Sequence, residues 1–178
     1  LATNRDPDNP LSQLQKISVI GARITVDDPT VGAFWSARHA DITISRSPGG
    51  VHVEYDMDMD FRGQTPTLKG TIDYRRDDND IVVSTLFQKL RPDVFGSEGE
   101  AFAPLKALDV TVGGTANFRI SMTGGLKYAS FDLSSGAGKV TLPHPHLKNI
   151  DVKSITATGH VDVDLERLVV KNLVVDLD

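Results

Sequence analysis

The sequence predicts an all-β protein: a long, curved antiparallel meander sheet, groove-like or partly closed into a barrel or sandwich, with one short helical insertion near residues 90–107. Three observations carry this expectation. Apolar and polar residues alternate along most of the chain, the period of a strand with one greasy and one wet face. Turn-forming clusters such as Ser47-Pro48-Gly49-Gly50 and Gly124-Gly125 recur between the alternating runs. Only between Gln88 and Ala107 does the apolar spacing move towards three and four.

At the start, Asn4, Asp6, Pro7, Asp8, Asn9 and Pro10 favour turns and bury little, so residues 1–16 read as a linker. Asp6, Asp8 and Asn9 have acidic calcium-loop character but lack the glycine and distal glutamate of such a loop. Residues 17–178 read as a single β-rich segment. A start at Leu1 and an end within the alternating run Leu173 to Leu177 are what a piece of a larger protein would have.

Ile17 and Val19, then Ala22, Ile24 and Val26, alternate on either side of Gly21, a phase break expected to be a bulge or bend. Asp27-Asp28-Pro29 closes that run. The piece from Val31 to Ala37 carries Trp35 and leads to Ala40, Ile42 and Ile44, which gives a second, antiparallel strand. The clearest signal follows. Val51, Val53, Tyr55, Met57, Met59 and Phe61 are apolar, while His52, Glu54, Asp56, Asp58 and Asp60 between them are polar. At about 3.3 Å per residue this is one strand of roughly 35 Å with an acidic back. Leu68, Gly70, Ile72 and Tyr74 continue the alternation, Arg75 to Asp80 reads as a hairpin loop in water, and Ile81, Val83, Thr85 and Phe87 return.

Pro92 and Pro104 fit early positions of short helical turns, where a missing N–H costs little, and Gly96-Ser97-Glu98-Gly99 separates the turns. Strand pattern resumes at Val110 and Val112, slips at Gly113-Gly114, and runs through Ala116, Phe118, Ile120 and Met122. Leu126, Tyr128, Phe131 and Leu133 make the return strand, with a slip at Ala129-Ser130 that reads as another bulge. Val140 and Leu142, the proline-broken Pro143 to His146, and two final runs from Ile150 to Val163 and Leu168 to Leu177 complete about ten strands.

Composition narrows the function classes. The net charge of -5, with both signs interspersed, offers no basic stripe for a phosphate backbone, so nucleic acid is not an expected partner. Cysteine is absent, which removes disulfides, thiolate nucleophiles and thiolate metal sites. No run reaches the roughly 20 apolar residues that cross a bilayer.

Chemical motifs are equally sparse. His144 and His146 flank Pro145 in an extended segment and could share an ion, but no third ligand lies near in sequence, so no metal is expected. His39, His52 and His160 fall at polar positions and are expected to face water. Glu54, Asp56, Asp58 and Asp60 stand about 7 Å apart along one face, a spacing reminiscent of paired carboxylates, yet a wet face supplies no burial to raise a pKa. Nucleophile elbows, phosphate-cradling loops and zinc-protease helices are missing, so neither catalytic residues nor a cofactor are expected. The apolar faces remain, and two readings of them stay open: a closed core, or an uncovered hydrophobic groove of the kind that marks a binding site.

Several stretches resemble the AsmA-like family, the large Gram-negative envelope proteins of the AsmA, TamB and YhdP type, above all the C-terminal AsmA-like region of alphaproteobacterial members. They are Ile17 to Asp28 with its acidic turn, the Trp35 piece followed by Ala40-Asp-Ile-Thr-Ile44, and Pro104 to Phe118, where Gly114, Thr115, Ala116 and Phe118 carry most of the likeness. Gly136 to Pro143 and Ile155 to Gly159 complete it. The resemblance implies a non-enzymatic periplasmic segment, anchored in the inner membrane through other parts of the parent protein, that offers an apolar groove for phospholipid transport or outer-membrane homeostasis. Its partner would be a phospholipid or other acyl-chain lipid, and the lining residues would be Val51, Val53, Tyr55, Met57, Met59, Phe61, Phe118, Ile120 and Met122. The alternative is a structural or protein-interaction β domain with a closed hydrophobic core.

Overall fold

A computed structural model describes residues 14–28, 33–97, 100–141, 149–163 and 167–178. The Asp6/Asp8/Asn9 cluster and the His144/His146 pair lie outside these residues, as does almost all of the expected linker. Among the described residues the fold is all-β, one antiparallel sheet of eleven strands that does not close into a barrel. In chain order the strands are β1 (Lys16–Asp28), β2 (Ala33–Ser47), β3 (Gly50–Asp60), β4 (Thr67–Arg75), β5 (Asp80–Leu90), β6 (Leu108–Asp109), β7 (Val112–Ser121), β8 (Leu126–Ser135), β9 (Gly138–Thr141), β10 (Asn149–Asp162) and β11 (Arg167–Leu177). Two 3-10 segments, Pro92–Ser97 and Glu100–Ala107, form the helical insertion between β5 and β6, where the change of period places it.

The pairing order runs β1 to β5, then β7, β8 and β10, with β9 and β6 also on the β10 side and β11 beyond β10. This looks like a crossover but is not one. Gly138 opposite Val152 continues, three steps along both chains, the register that sets Ser135 opposite Ile155, so β8 and β9 are halves of one strand broken at Gly136-Ala137. Likewise β6 pairs β9 and β7 pairs β8 with a single-residue slip at Val110-Thr111, which makes β6 and β7 halves of another. The eleven segments with two collinear pairs are therefore nine crossings of a plain up-and-down meander.

Bulges keep the apolar residues on one side. The expected break at Gly21 is one, since two residues of β1, Ile20 and Gly21, match one of β2, Asp41, and Gly21 takes a positive φ of 64°. Elsewhere the extra residue is a cation: Arg38 in β2, Lys89 in β5 (φ 59°), Lys127 in β8, Lys153 in β10 and Lys171 in β11. Two expectations are corrected. Register with β8 runs unbroken through Gly113-Gly114, and the shift there is in the pairing with β5, where the extra residue is Lys89. The bulge placed at Ala129-Ser130 occurs at Lys127, which turns Ala129 rather than Tyr128 to the apolar side, opposite Phe118. A long cation suits a bulge because it can swing clear of the disturbed ladder to a carboxylate. Arg38 Nε lies 3.9 Å from Asp60, Lys153 Nζ 3.7 Å from Asp178, and Lys127 pairs with the buried Asp80.

Among the described residues, the buried apolar side chains lie in two corners, apart from Ala129. Ala37, Ala40 and Met59 form a small cluster with Ile24, Trp35, Met57 and Leu68 against it. Val110 and Val152 are buried where the broken strands meet. There Leu108, Val140 and Ile150 pair in sequence across three strands. The insertion is tied to the Met59 end. Phe95 stacks on Phe61 with centroids 5.3 Å apart, and the buried Gln64 side chain accepts from Arg91 N at 2.6 Å. Arg91 in turn binds Asp93 at 2.8 Å and Asp109 at 3.0 Å.

Two glycines are fixed by aromatic side chains. A Cβ on Gly70 would meet the Tyr55 hydroxyl and the Ser84 carbonyl, and one on Gly159 would meet the Phe131 ring and the Val169 carbonyl. The Phe131 ring lies over the bare backbone of Gly159 and the Tyr55 side chain reaches Gly70 with its hydroxyl, which gives cover that glycine cannot. Gly70→Ala and Gly159→Ala should each lower unfolding free energy in urea by about 1–3 kcal/mol. Gly136→Ala, with nothing within 4 Å, should be neutral or stabilising by up to about 1 kcal/mol.

Candidate functional site: the apolar face of the sheet

Register places the alternating residues of nearly every strand in cross-strand rows. One row runs Ile17, Ile44, Val53, Ile72, Val83, Phe118, Ala129, Val161 and Leu168, from β1 to β11. The next runs Val19, Ile42, Tyr55, Gly70, Thr85, Ala116, Phe131, Gly159 and Val170, and a third Ala22, Ala40, Met57, Leu68, Phe87, Gly114, Leu133, Ala157 and Leu173. Directly opposed side chains lie within reach of one another, so each row is a continuous apolar strip across the sheet. Thr85 adds a hydroxyl to the second row that is buried and has no hydrogen-bond partner.

Among the described residues this face is covered by its own neighbours rather than by a second layer. Ile72, Val83, Phe87, Ala116, Phe118 and Phe131 are all half-buried. Towards the edges exposure rises, to 44% for Ile17 and Val19 and to 62%, 50% and 60% for Leu168, Val170 and Leu173. An apolar surface this continuous exceeds the scattered exposed residues of an ordinary monomer.

Of the nine lining residues the sequence singles out, Val53, Tyr55 and Met57 on β3 and Phe118 on β7 lie in these rows, while Val51, opposite Tyr74, and Ile120, opposite Ile81, belong to a further row and Met59 lies opposite Ala37. Phe61 sits just past β3 in a bridge to Gln64, under Phe95. Met122 is placed differently. It lies in the β7–β8 turn, 51% exposed, with its N–H donating to the Asn79 carbonyl. The sequence reading passed over contributors from β1, β4, β5, β8, β10 and β11, although their alternation was visible, because alternation alone does not reveal which strands are neighbours.

The opposite face is polar and laced with ion pairs. Glu54, Asp56, Asp58 and Asp60 are exposed there, Asp56 with Lys69 at 3.2 Å. His39 is exposed, as expected of a polar position, and lies 3.8 Å from Asp41. His160 is half-buried instead, opposite Ser130 and Val169, with its Nδ1 buried and without a hydrogen-bond partner. Among the described residues no group of three or more His, Asp or Glu could hold a metal ion, and no helix is long and apolar enough to cross a membrane.

His52 also departs from simple exposure, since its Nδ1 lies 2.6 Å from Asp73 on the paired strand and its Nε2 3.6 Å from Glu54. The hydrogen bond to Asp73, the charge of Asp73 and then Glu54 raise the imidazole above its usual 6.5, against a smaller lowering by burial. A folded-state pKa above the unfolded one stabilises the protein below about pH 6.5, and that stability is lost as pH rises through the folded value. Urea midpoints should therefore fall between pH 6 and pH 8, and Asp73→Asn should flatten that slope. Searches against family models, curated proteins and solved structures give no match to this chain.

Proposed function

We propose that this chain is a non-enzymatic lipid-handling segment, whose apolar face carries the acyl chains of phospholipid while headgroups stay at the wet rim. The observation that carries the reading is the set of unbroken apolar rows from β1 to β11 without a covering layer among the described residues. Acyl chains gain about 0.8 kcal/mol per buried CH₂, so such a strip binds them without any polar contact. The AsmA-like resemblance gives this activity a setting: a periplasmic part of a larger, inner-membrane-anchored protein, serving phospholipid transport or outer-membrane homeostasis. A closed-core interaction domain is the rival reading. It would need a second layer over the rows, and the small cluster around Ala37, Ala40 and Met59 covers only one corner.

Two measurements test the reading. Native mass spectrometry of the chain expressed in bacteria should show co-purified phospholipid, and a lipid-free protein that also fails to bind a hydrophobic dye would overturn it. Met57→Asp and Phe118→Asp should keep the circular dichroism of the sheet and weaken lipid binding by about tenfold or more. Leu86→Asp, on the polar face and 42% exposed, should leave binding unchanged.

A further inference from the structure

On the apolar side, the two ends of the strands are unlike. The end that carries the insertion is the dry one. Every buried apolar residue among those described, Ala129 excepted, lies towards it: Ala37, Ala40, Met59, Val110 and Val152. Phe61, two residues past Met59, stacks on Phe95 of the insertion, and the buried Gln64 ties the insertion down through Arg91 N. An acyl chain laid along the strands meets packed side chains at this end.

The other end carries the β2–β3, β4–β5 and β7–β8 turns, and a row of the apolar side close to it runs Arg46, Val51, Tyr74, Ile81 and Ile120. Residues directly opposed in an antiparallel pair point to the same face, so Arg46, which is exposed, stands at the rim of the apolar strip rather than on the polar face. Ile44, Met122 and Leu126 near this end are 37%, 51% and 37% exposed. A cation on the greasy side of a sheet suits a rim where an anion meets apolar chains, and a guanidinium matches phosphate oxygens with paired N–H donors. Tyr74, two strands away in the same row, adds a hydroxyl donor. The length agrees as well. From Val51 to Met59, β3 spans about 26 Å at about 3.3 Å per residue, against roughly 20–22 Å for one leaflet of a bilayer with its headgroups.

Resting on the lipid reading above, we propose that a phospholipid lies along the strands with its phosphate at Arg46 and Tyr74 and its chain ends towards Phe61 and Phe95. The turn end is then the rim where headgroups meet water, and the insertion is the stop for the chains.

Photocrosslinking of the delipidated 178-residue chain tests the orientation. The chain is loaded with two phosphatidylglycerols, one with a diazirine at the ends of its acyl chains and one with it in the headgroup, and the labelled residues are located by mass spectrometry. Chain-end label should fall on Met59, Phe61 and Phe95, and headgroup label around Arg46 and Tyr74. Label in the reverse order, or both probes at both ends alike, overturns the orientation and leaves lipid binding standing. A chain that takes up neither probe overturns the lipid reading and this inference with it. Arg46→Glu should weaken binding of phosphatidylglycerol by roughly fivefold to tenfold relative to a diacylglycerol with the same chains. Equal loss for both lipids overturns the phosphate site.

Discussion

Everything in this protein depends on side-chain parity being kept across successive antiparallel pairings. A strand sends neighbouring side chains to opposite faces, so one uncorrected slip would turn a row of apolar residues into the polar face for the remainder of that strand. The chain contains such slips: Ala37 to Ala40, Phe87 to Leu90, Leu126 to Ala129 and Val170 to Leu173 are each spaced by three. At each one the ladder accepts an extra residue, and the apolar row resumes on its original side. Bulges here are corrections of phase rather than defects of pairing.

Holding so wide a sheet without a second layer limits what can stabilise it. The ion pairs of the polar face, such as Asp56 with Lys69 and Arg38 with Asp60, are exposed and contribute about 0–1 kcal/mol each. Asp80 differs, being 3% exposed and held by Lys127 from two crossings away. The larger share comes from cross-strand apolar neighbours that half-bury one another, and from aromatic side chains laid over Gly70 and Gly159. A sheet stabilised in this way gains from anything apolar laid on its open face. Fold and proposed role therefore draw on the same surface.

Much of this was legible in the residues. Alternation marked the strands, the change of spacing marked the insertion at 92–107, and Gly21 marked its bulge. The basic bulge residues went unread because a lysine between two apolar residues looks like an ordinary polar position. Their signal is an apolar spacing of three that contains Arg or Lys, as at Ala37-Arg38-His39-Ala40 and Val170-Lys171-Asn172-Leu173. Met122 was grouped with β7 for the converse reason: its parity fits the row, but the Gly124-Gly125 turn has already begun.

The sequence by itself determined that strands form and which side of each strand is apolar, because both follow from a local period of two. It did not determine that β6 and β7, or β8 and β9, are halves of single crossings, nor that the rows of nine crossings fall into line. Those depend on register between segments far apart in the chain, which local periodicity does not encode. Only the tertiary structure decided that the sheet does not close into a barrel and that no second layer covers its apolar side among the described residues, because burial is a relation between layers.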